Sequence, residues 1–251
     1  MNAAEKFMVS NAGPGIAISA NVSRCGLAAR LARPLLRILA LISSLFLTSC
    51  GLFADVWEWN QKLTVEVLVD GQIVSGSAVS HVWWQEANAF DVYPSGYEGE
   101  ATVVDLGQRG KLFALIGEET KYIAQYTFHE KLGHSRGDYE RLLPAIMRFR
   151  GTEDVPRSRY PLLVTFPDPN DPTSLRKVDP GDLVAAFGSG VSLKRITLEI
   201  TDDKVTGNVG DQLFSWWSLY EDRQFDGNRY TKANSTYRFA NSLNRLNFKR
   251  E

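Results

Sequence analysis

Three histidines occur in the 251 residues, and two of them stand together in His129-Glu130-Lys131-Leu132-Gly133-His134. The residue types are those of a zinc-protease helix, but such a site needs its imidazoles four residues apart on one helix face. Here they are five apart, about 140° round a helix, with Gly133 between them, which fits two exposed histidines beside a loop. Asp168, Asn170 and Asp171 offer oxygen ligands of the kind calcium takes, yet Pro172 stands where a third ligand belongs and no glycine follows, so turn chemistry accounts for them. Asp202-Asp203 reads as a solvated turn after a strand. Ser189 lies between Gly188 and Gly190, but the Gly-x-Ser-x-Gly spacing of a nucleophile elbow is missing, and the segment follows a helix instead of preceding one. No glycine-rich phosphate loop occurs after Cys50. No metal or cofactor is therefore expected, and catalysis would need a site assembled from residues distant in sequence.

Six tryptophans form three close pairs, Trp57/Trp59, Trp83/Trp84 and Trp216/Trp217, with Tyr220, Phe225 and Tyr230 after the last. Trp83, Trp84, Trp216, Trp217 and Tyr220 are the candidate ligand or interface aromatics, because an exposed ring can stack on a sugar or anchor a protein partner. Adjacent strand residues face opposite ways, so one of Trp83 and Trp84 is expected outside the core. Core or edge packing is the favoured reading of the set, with a protein interface and a glycan platform as alternatives. Arg141, Arg148, Arg150, Arg157 and Arg159 form the one basic cluster, with Glu140, Glu153 and Asp154 close by. A solvated face is favoured there, and contact with anionic lipid headgroups is the alternative.

The chain has two cysteines, Cys25 and Cys50. Upstream of Cys50, the bases Arg30, Arg33 and Arg37 precede the ten-residue apolar run 38–47. That is the layout of a secretory signal, and the run is too short for a membrane span of about 20 residues. Leu47-Thr48-Ser49-Cys50 resembles the lipobox of bacterial lipoproteins. The resemblance implies that the Cys50 thiol is joined to diacylglycerol, that the signal is cut before it, and that the new amino group is acylated, with palmitate as the expected kind of chain. Small side chains at Thr48 and Ser49 suit a peptidase cleft, and only a thiol gives the thioether. Three acyl chains exceed the two signals that stable anchoring takes. An uncleaved signal anchor and a chance cysteine after an apolar run are the alternatives. Gly51, in place of Asp, favours the outer over the inner membrane by resemblance to enterobacterial lipoproteins. The expected location is the periplasmic face of a bacterial membrane. Membrane lipid, through Cys50, is the expected partner there, joined by an envelope protein or glycan. Residues 1–29 look like neither signal nor fold, as a start codon placed too far upstream would explain. With Cys25 removed, Cys50 is the only thiol and no intramolecular disulfide can form.

The composition, 44% hydrophobic and 23% charged, is that of one globular domain. The net charge is −1, and the first 49 residues hold five bases against one acid, which leaves the rest near −5. Nucleic acid, which needs clustered Lys and Arg, is not an expected partner. The expected organisation is an extension and signal over 1–49, with the functional signal at about 30–49, a lipidated tether over 50–61, and a single domain over 62–251. A tether of about eleven residues reaches at most roughly 40 Å. The domain is therefore expected against its membrane, with Leu52 and Phe53 in the interfacial layer.

Within the domain, Asp70-Gly71 suits a two-residue type I′ turn, where both positions need φ > 0. That turn sets Leu68 opposite Ile73, Val67 opposite Val74, Val65 opposite Gly76 and Leu63 opposite Ala78. Leu63, Val65, Val67, Val74, Gly76, Ala78 and Val82 then share an apolar face, with Thr64, Glu66, Ser75 and Ser77 on the other. Gly76 and Ala78 leave room for something to pack closely over them. A second hairpin is expected over 100–116, flanking Gly107-Gln108-Arg109-Gly110. Tyr139, Leu142, Leu143, Ile146 and Phe149 fall at helical spacing despite Pro144. Residues 160–166 read as a buried strand and Asp168 to Pro172 as a turn. Asp179-Pro180-Gly181-Asp182 opens a short capped helix closed by Gly188. In 193–201, Leu193, Arg195, Thr197 and Glu199 alternate with Lys194, Ile196, Leu198 and Ile200. Strand, helix and strand make a local α+β unit, and 161–203 resembles a segment of uncharacterised proteobacterial proteins, which brings no function with it.

The fold class expected is α+β and strand-rich, with antiparallel hairpins at about 62–82 and 100–116 and a few short helices. The function expected is a binding or scaffolding role for a lipid-anchored envelope protein, more in keeping with these residues than catalysis. An envelope hydrolase with a non-local site and an envelope-glycan binding module are the alternatives.

Overall fold

Asp70 and Gly71 both take positive φ, 50° and 83°, as a type I′ turn requires. They join two long strands, β1 (Val56–Val69) and β2 (Gln72–Asn88). The structure, a computed structural model, describes residues 55–88, 91–207 and 213–251. Cys50, the apolar run before it and residues 51–54 lie outside the described residues. The four cross-strand pairs expected from the turn are all present. Val65, Val67, Ala78 and Val82 are buried, Leu63 and Val74 half-buried, and Ser75 and Ser77 exposed. β1 begins at Val56 and not near Lys62, pairing with β2 as far as Val56 opposite Gln85. Residues 56–61 thus belong to the sheet and not to a tether. The inward positions Trp57, Trp59 and Gln61 continue the period of two backwards, and tryptophan favours strands.

The later strands are β3 (Asp91–Glu100), β4 (Thr102–Asp105), β5 (Lys111–Ala114), β6 (Gly151–Asp154), β7 (Leu163–Thr165), β8 (Arg176–Lys177), β9 (Val191–Thr201) and β10 (Lys249–Arg250). Among the described residues they form two antiparallel sheets, ordered β10-β3-β2-β1-β9-β6 and β4-β5-β7-β8. Four short helices accompany them among the described residues, α1 (Ile123–Leu132), α2 (Tyr139–Arg148), α3 (Val184–Phe187) and α4 (Arg238–Asn241). The strand-rich α+β class read from the hairpins is the class observed. Helix α2 runs through Pro144 with Leu142, Leu143 and Ile146 fully buried. Three such side chains at roughly 1.5–3 kcal/mol each outweigh the ~3 kcal/mol that an interior proline costs.

The 161–203 segment departs from expectation in three ways. Its strands β7 and β9 fall in different sheets, so it is not a local unit. The Asp179 carboxylate accepts the Gly181 N–H at 2.7 Å, holding a turn, and α3 starts only after Leu183. In β9 the alternation breaks, because Glu66 pairs with Arg195 but Val67 with Leu193, leaving Lys194 as the extra residue of a bulge. Val191 and Leu193 therefore share the core side with Ile196, Leu198 and Ile200. The bulge also brings Lys194 and Arg195 both to Glu66, at 3.1 and 2.7 Å.

The short strands of the second sheet carry apolar residues on both faces, as a doubly covered sheet must. Val104, Leu112, Ala114 and Leu163 share a core with Val65, Val67 and Val82 of the first sheet. Phe113, Leu115, Val164 and Phe166 face away, into a second core with Phe214, Trp216, Trp217, Phe225 and Phe248. Ring centroids there lie 4.7 Å apart for Phe214 and Trp216 and 5.5 Å apart for Phe225 and Phe248. Residues 213–251, mostly irregular, supply this cover, and Asp226 holds them in place. Its carboxylate accepts from the Ser235 hydroxyl and the Asn228 side-chain amide (2.6 Å each), from the Asn241 side-chain amide (2.9 Å) and from the Asn228 backbone N–H (3.0 Å). Burial alone would raise its pKa, but the hydrogen bonds from Ser235, Asn241 and Asn228 together outweigh burial and hold it at about 2.

The first sheet meets the second at Gly76, where a Cβ would lie 1.7 Å from the Val103 carbonyl oxygen. Gly76→Ala is expected to cost more than about 3 kcal/mol, because backbone must move. Gly71→Ala, with open space but φ of +83°, should cost only about 1–2 kcal/mol; urea unfolding of the two variants checks the order. The depressed folded pKa of Asp226 gives stability that is present above the ordinary carboxyl value of 3.8 and lost as pH falls towards about 2. Asp226→Asn should accordingly lower the thermal midpoint by several degrees at pH 7, with the gap from wild type closing by pH 2. A gap of constant size across that range would count against an ionised Asp226 as the source.

Candidate functional site

Two rungs of the β1–β2 ladder leave the buried face underfilled. Leu63 stands opposite Ala78 and Gln61 opposite Ser80. Further along the same face of β2, Val82 and Trp84 fill the space above the sheet, but Ala78 and Ser80 are too small to do so. A cleft of about 250 Å³ results. Leu63, Ala78 and Leu198 of the first sheet, with Ala114, Ile116 and Pro161 from the second sheet and its connections, give it apolar walls. Gln61, Ser80 and Thr102 line it as well and are 1%, 8% and 1% exposed. Glu118 and Glu119 are exposed and mark its open side.

The buried polar groups are tied unequally. Gln61 Oε1 accepts the Trp59 indole N–H at 3.0 Å, and Gln61 Nε2 donates to the Thr120 carbonyl at 3.0 Å. The amide thereby joins the floor to the segment above it, with one N–H and one lone pair left over. Thr102 Oγ1 donates to the Leu63 carbonyl at 3.3 Å and keeps its lone pairs. The Ser80 hydroxyl has no hydrogen-bond partner among the described residues. At the mouth each carboxylate has its own cation. Glu119 lies 3.4 Å from Arg159, whose guanidinium sits 3.5 Å over the Tyr126 ring. Glu118 pairs with Lys121 at 2.5 Å and with Arg250 at 3.3 Å. The hydrogen bond from Lys121, above all, holds the Glu118 carboxyl below its ordinary pKa. Among the described residues none of the hydroxyls lining the cleft is hydrogen-bonded to a histidine, lysine or carboxylate, so the arrangement suits binding more than activation of a nucleophile.

The residues singled out by type lie elsewhere. Trp84, Trp216 and Trp217 are buried, at 0%, 6% and 1% exposure, and make no flat surface for a sugar. Trp84 packs on Tyr122 and Tyr139. Trp216 donates its indole N–H to the Pro169 carbonyl at 2.8 Å and meets the half-buried Tyr220 ring. Trp83, on the face opposite Trp84, is half-buried, stacked on His81 and lying where a side chain at Gly96 would be. These rings are taken up by the two cores and the outer face of the first sheet, and Trp216 and Trp217 belong to the segment 213–251 that covers the second sheet.

The arginine cluster is likewise not a free basic face. Arg141 pairs with Asp138, Arg150 with Asp202 and the last carbonyls of α2, and Arg159 with Glu119; Arg148 and Arg157 are exposed. Of the motifs set aside on spacing, His129 lies in α1 and His134 beyond its Gly133 cap, and no metal-binding cluster occurs among the described residues. Asp168 and Asp171 accept the N–H groups of Asn170 and Thr173, as turn residues do. Asp203 pairs with Lys62. Ser189 gives its carbonyl to Arg109, which also grips Asp70 with two hydrogen bonds of 3.0 and 2.8 Å. Gln61, Ser80 and Thr102 were not singled out by type. The signal that could have found the first two is a polar residue at an inward position of an otherwise apolar alternation.

Replacing Gln61 with Leu keeps the volume but leaves the Trp59 indole N–H and the Thr120 carbonyl without their partner. A loss of about 1–3 kcal/mol is expected, read by chemical denaturation. Unchanged or increased stability would mean that the amide does not span the cleft.

No known protein family, curated protein or solved structure matches the chain, so the functional reading rests on the geometry of the cleft and on the N-terminal sequence.

Proposed function

We propose that this chain is a lipid-anchored protein of the bacterial cell envelope whose domain acts by binding, with the cleft between its sheets as the binding site. Leu47-Thr48-Ser49-Cys50, after three bases and a ten-residue apolar run, is the observation that carries the reading. Acylation of Cys50 gives a hydrophobic anchor of about 0.8 kcal/mol per buried CH₂. The start of β1 at Val56 shortens the expected tether to residues 51–55, which extend to roughly 18 Å at most. A domain so tethered works at the periplasmic membrane surface, and Gly51 favours the outer membrane. Binding is favoured over hydrolysis by a cleft whose buried groups are an amide and two hydroxyls with no base hydrogen-bonded to the hydroxyls among the described residues.

Metabolic labelling with a clickable palmitate analogue, on wild type and Cys50→Ala, followed by membrane fractionation, tests the anchor. Wild type should carry label and sediment with membranes, and the variant should lose both. Unlabelled wild-type protein would overturn the reading.

A further inference from the structure

We infer that the cleft selects a small uncharged amphiphile, an apolar body of about one ring carrying an amide or hydroxyl head, over charged molecules of the same shape. The inference rests on the binding role proposed above and names its ligand class. Size sets the first limit. A cleft of about 250 Å³ holds roughly eight water volumes at ~30 Å³ each and falls just below the range of drug-sized sites, about 300–1,000 Å³. It therefore suits a body of about eight to ten heavy atoms.

The second limit is the kind of polar group left unused inside. Gln61 and Ser80 face each other across the ladder, and both are more than nine-tenths buried. Gln61 retains one N–H and one lone pair after its bonds to Trp59 and Thr120. Ser80, whose hydroxyl has no hydrogen-bond partner among the described residues, retains donor and acceptor both. Thr102 retains lone pairs only. A head that donates and accepts at once satisfies this set. A carboxylate brings no donor for Thr102, and an ammonium brings no acceptor for the Gln61 N–H or the Ser80 hydroxyl. Either charge would also be buried without a counterion. Glu118, Glu119 and Arg159 are committed to one another or to Lys121 and Arg250 at the open side, and Glu100, which borders the cleft, has a partner of its own. The walls of Leu63, Ala78, Ala114, Ile116 and Leu198 offer the rest of the ligand only apolar contact.

Three near-isosteric probes separate the classes: benzamide, benzoate and benzylamine. Each is titrated by ligand-observed NMR against the full chain in phospholipid nanodiscs, with empty nanodiscs as the reference. Benzamide should saturate and bind at least tenfold more tightly than the other two. Because the Ser80 hydroxyl has no hydrogen-bond partner among the described residues, Ser80→Ala should weaken benzamide five- to tenfold while leaving the thermal midpoint unchanged. Ala78→Leu, which fills the cleft, should abolish binding. Equal or tighter binding of benzoate or benzylamine, lost in Ala78→Leu, overturns the ligand class and leaves the binding role standing. No saturable binding by any probe overturns the cleft as a binding site and the inference with it. Benzamide binding that neither variant alters places the ligand elsewhere and overturns the inference too.

Discussion

The Val103 carbonyl lies where a side chain at position 76 would begin, and the spacing of the two sheets follows from that contact. Along the buried face of β2 the residues run Gly76, Ala78, Ser80, Val82, Trp84, and opposite them on β1 run Val65, Leu63, Gln61, Trp59 and Trp57. Side-chain size grows from one end to the other. At Gly76 the backbone of β4 rests on the sheet, and at Trp84 an indole reaches Tyr122 and Tyr139 at the starts of α1 and α2. The gap widens between these points faster than Ala78 and Ser80 can fill it. Interiors are close-packed as a rule, and this one stays open where its lining turns polar, since apolar atoms gain little against an amide and a hydroxyl with bonds still to make.

The upper wall of the cleft depends on the far side of the second sheet. Ala114 borders the cleft, while Phe113, its neighbour in β5, points the other way and meets Phe166, Phe214 and Phe248. Strand β5 is thus gripped by a dense aromatic core on one face and presents the cleft wall on the other. The cover over that core, residues 213–251, has few backbone ladders to hold it. It is pinned by Asp226, whose four accepted hydrogen bonds reach Asn228, Ser235 and the fully buried Asn241. A carboxylate with its donors fixed by loop geometry does for this segment what strand pairing does for the first sheet.

The β1–β2 hairpin was legible because two independent signals agreed, the Asp-Gly turn and the alternation on both strands, and a slip of one residue would have turned every apolar side chain outward. The β9 bulge was not, because the alternation within 193–201 looks intact by itself and the extra residue shows only against β1. The aromatic pairs, whose favoured reading was core or edge packing, left a surface role open for a related reason. Trp216 and Trp217 could cover a core or offer a surface, and what decides is whether another layer needs covering. The clue lay at 112–116, where Leu, Phe, Ala, Leu and Ile leave neither face polar. Gln61, Ser80, Thr102 and Thr120 are spread over sixty residues and meet only because β4 crosses β2, a contact that no local pattern encodes.

The position of the cleft along β1 bears on what an acylated Cys50 would do. Gln61 lies on the strand that leads away from that residue, and Val56 to Gln61 are held in the sheet, spanning about 17 Å at 3.4 Å per residue. Residues 51–55 add at most roughly 18 Å. The polar rung of the cleft would then stay within some 40 Å of the bilayer however the domain turned. A ligand that partitions towards the membrane is concentrated in that layer, and an amphiphile with an apolar body and an uncharged head does so where an ion of the same shape stays in water. The proposed anchor and the chemistry of the cleft would therefore favour the same kind of molecule, for reasons that are physically independent.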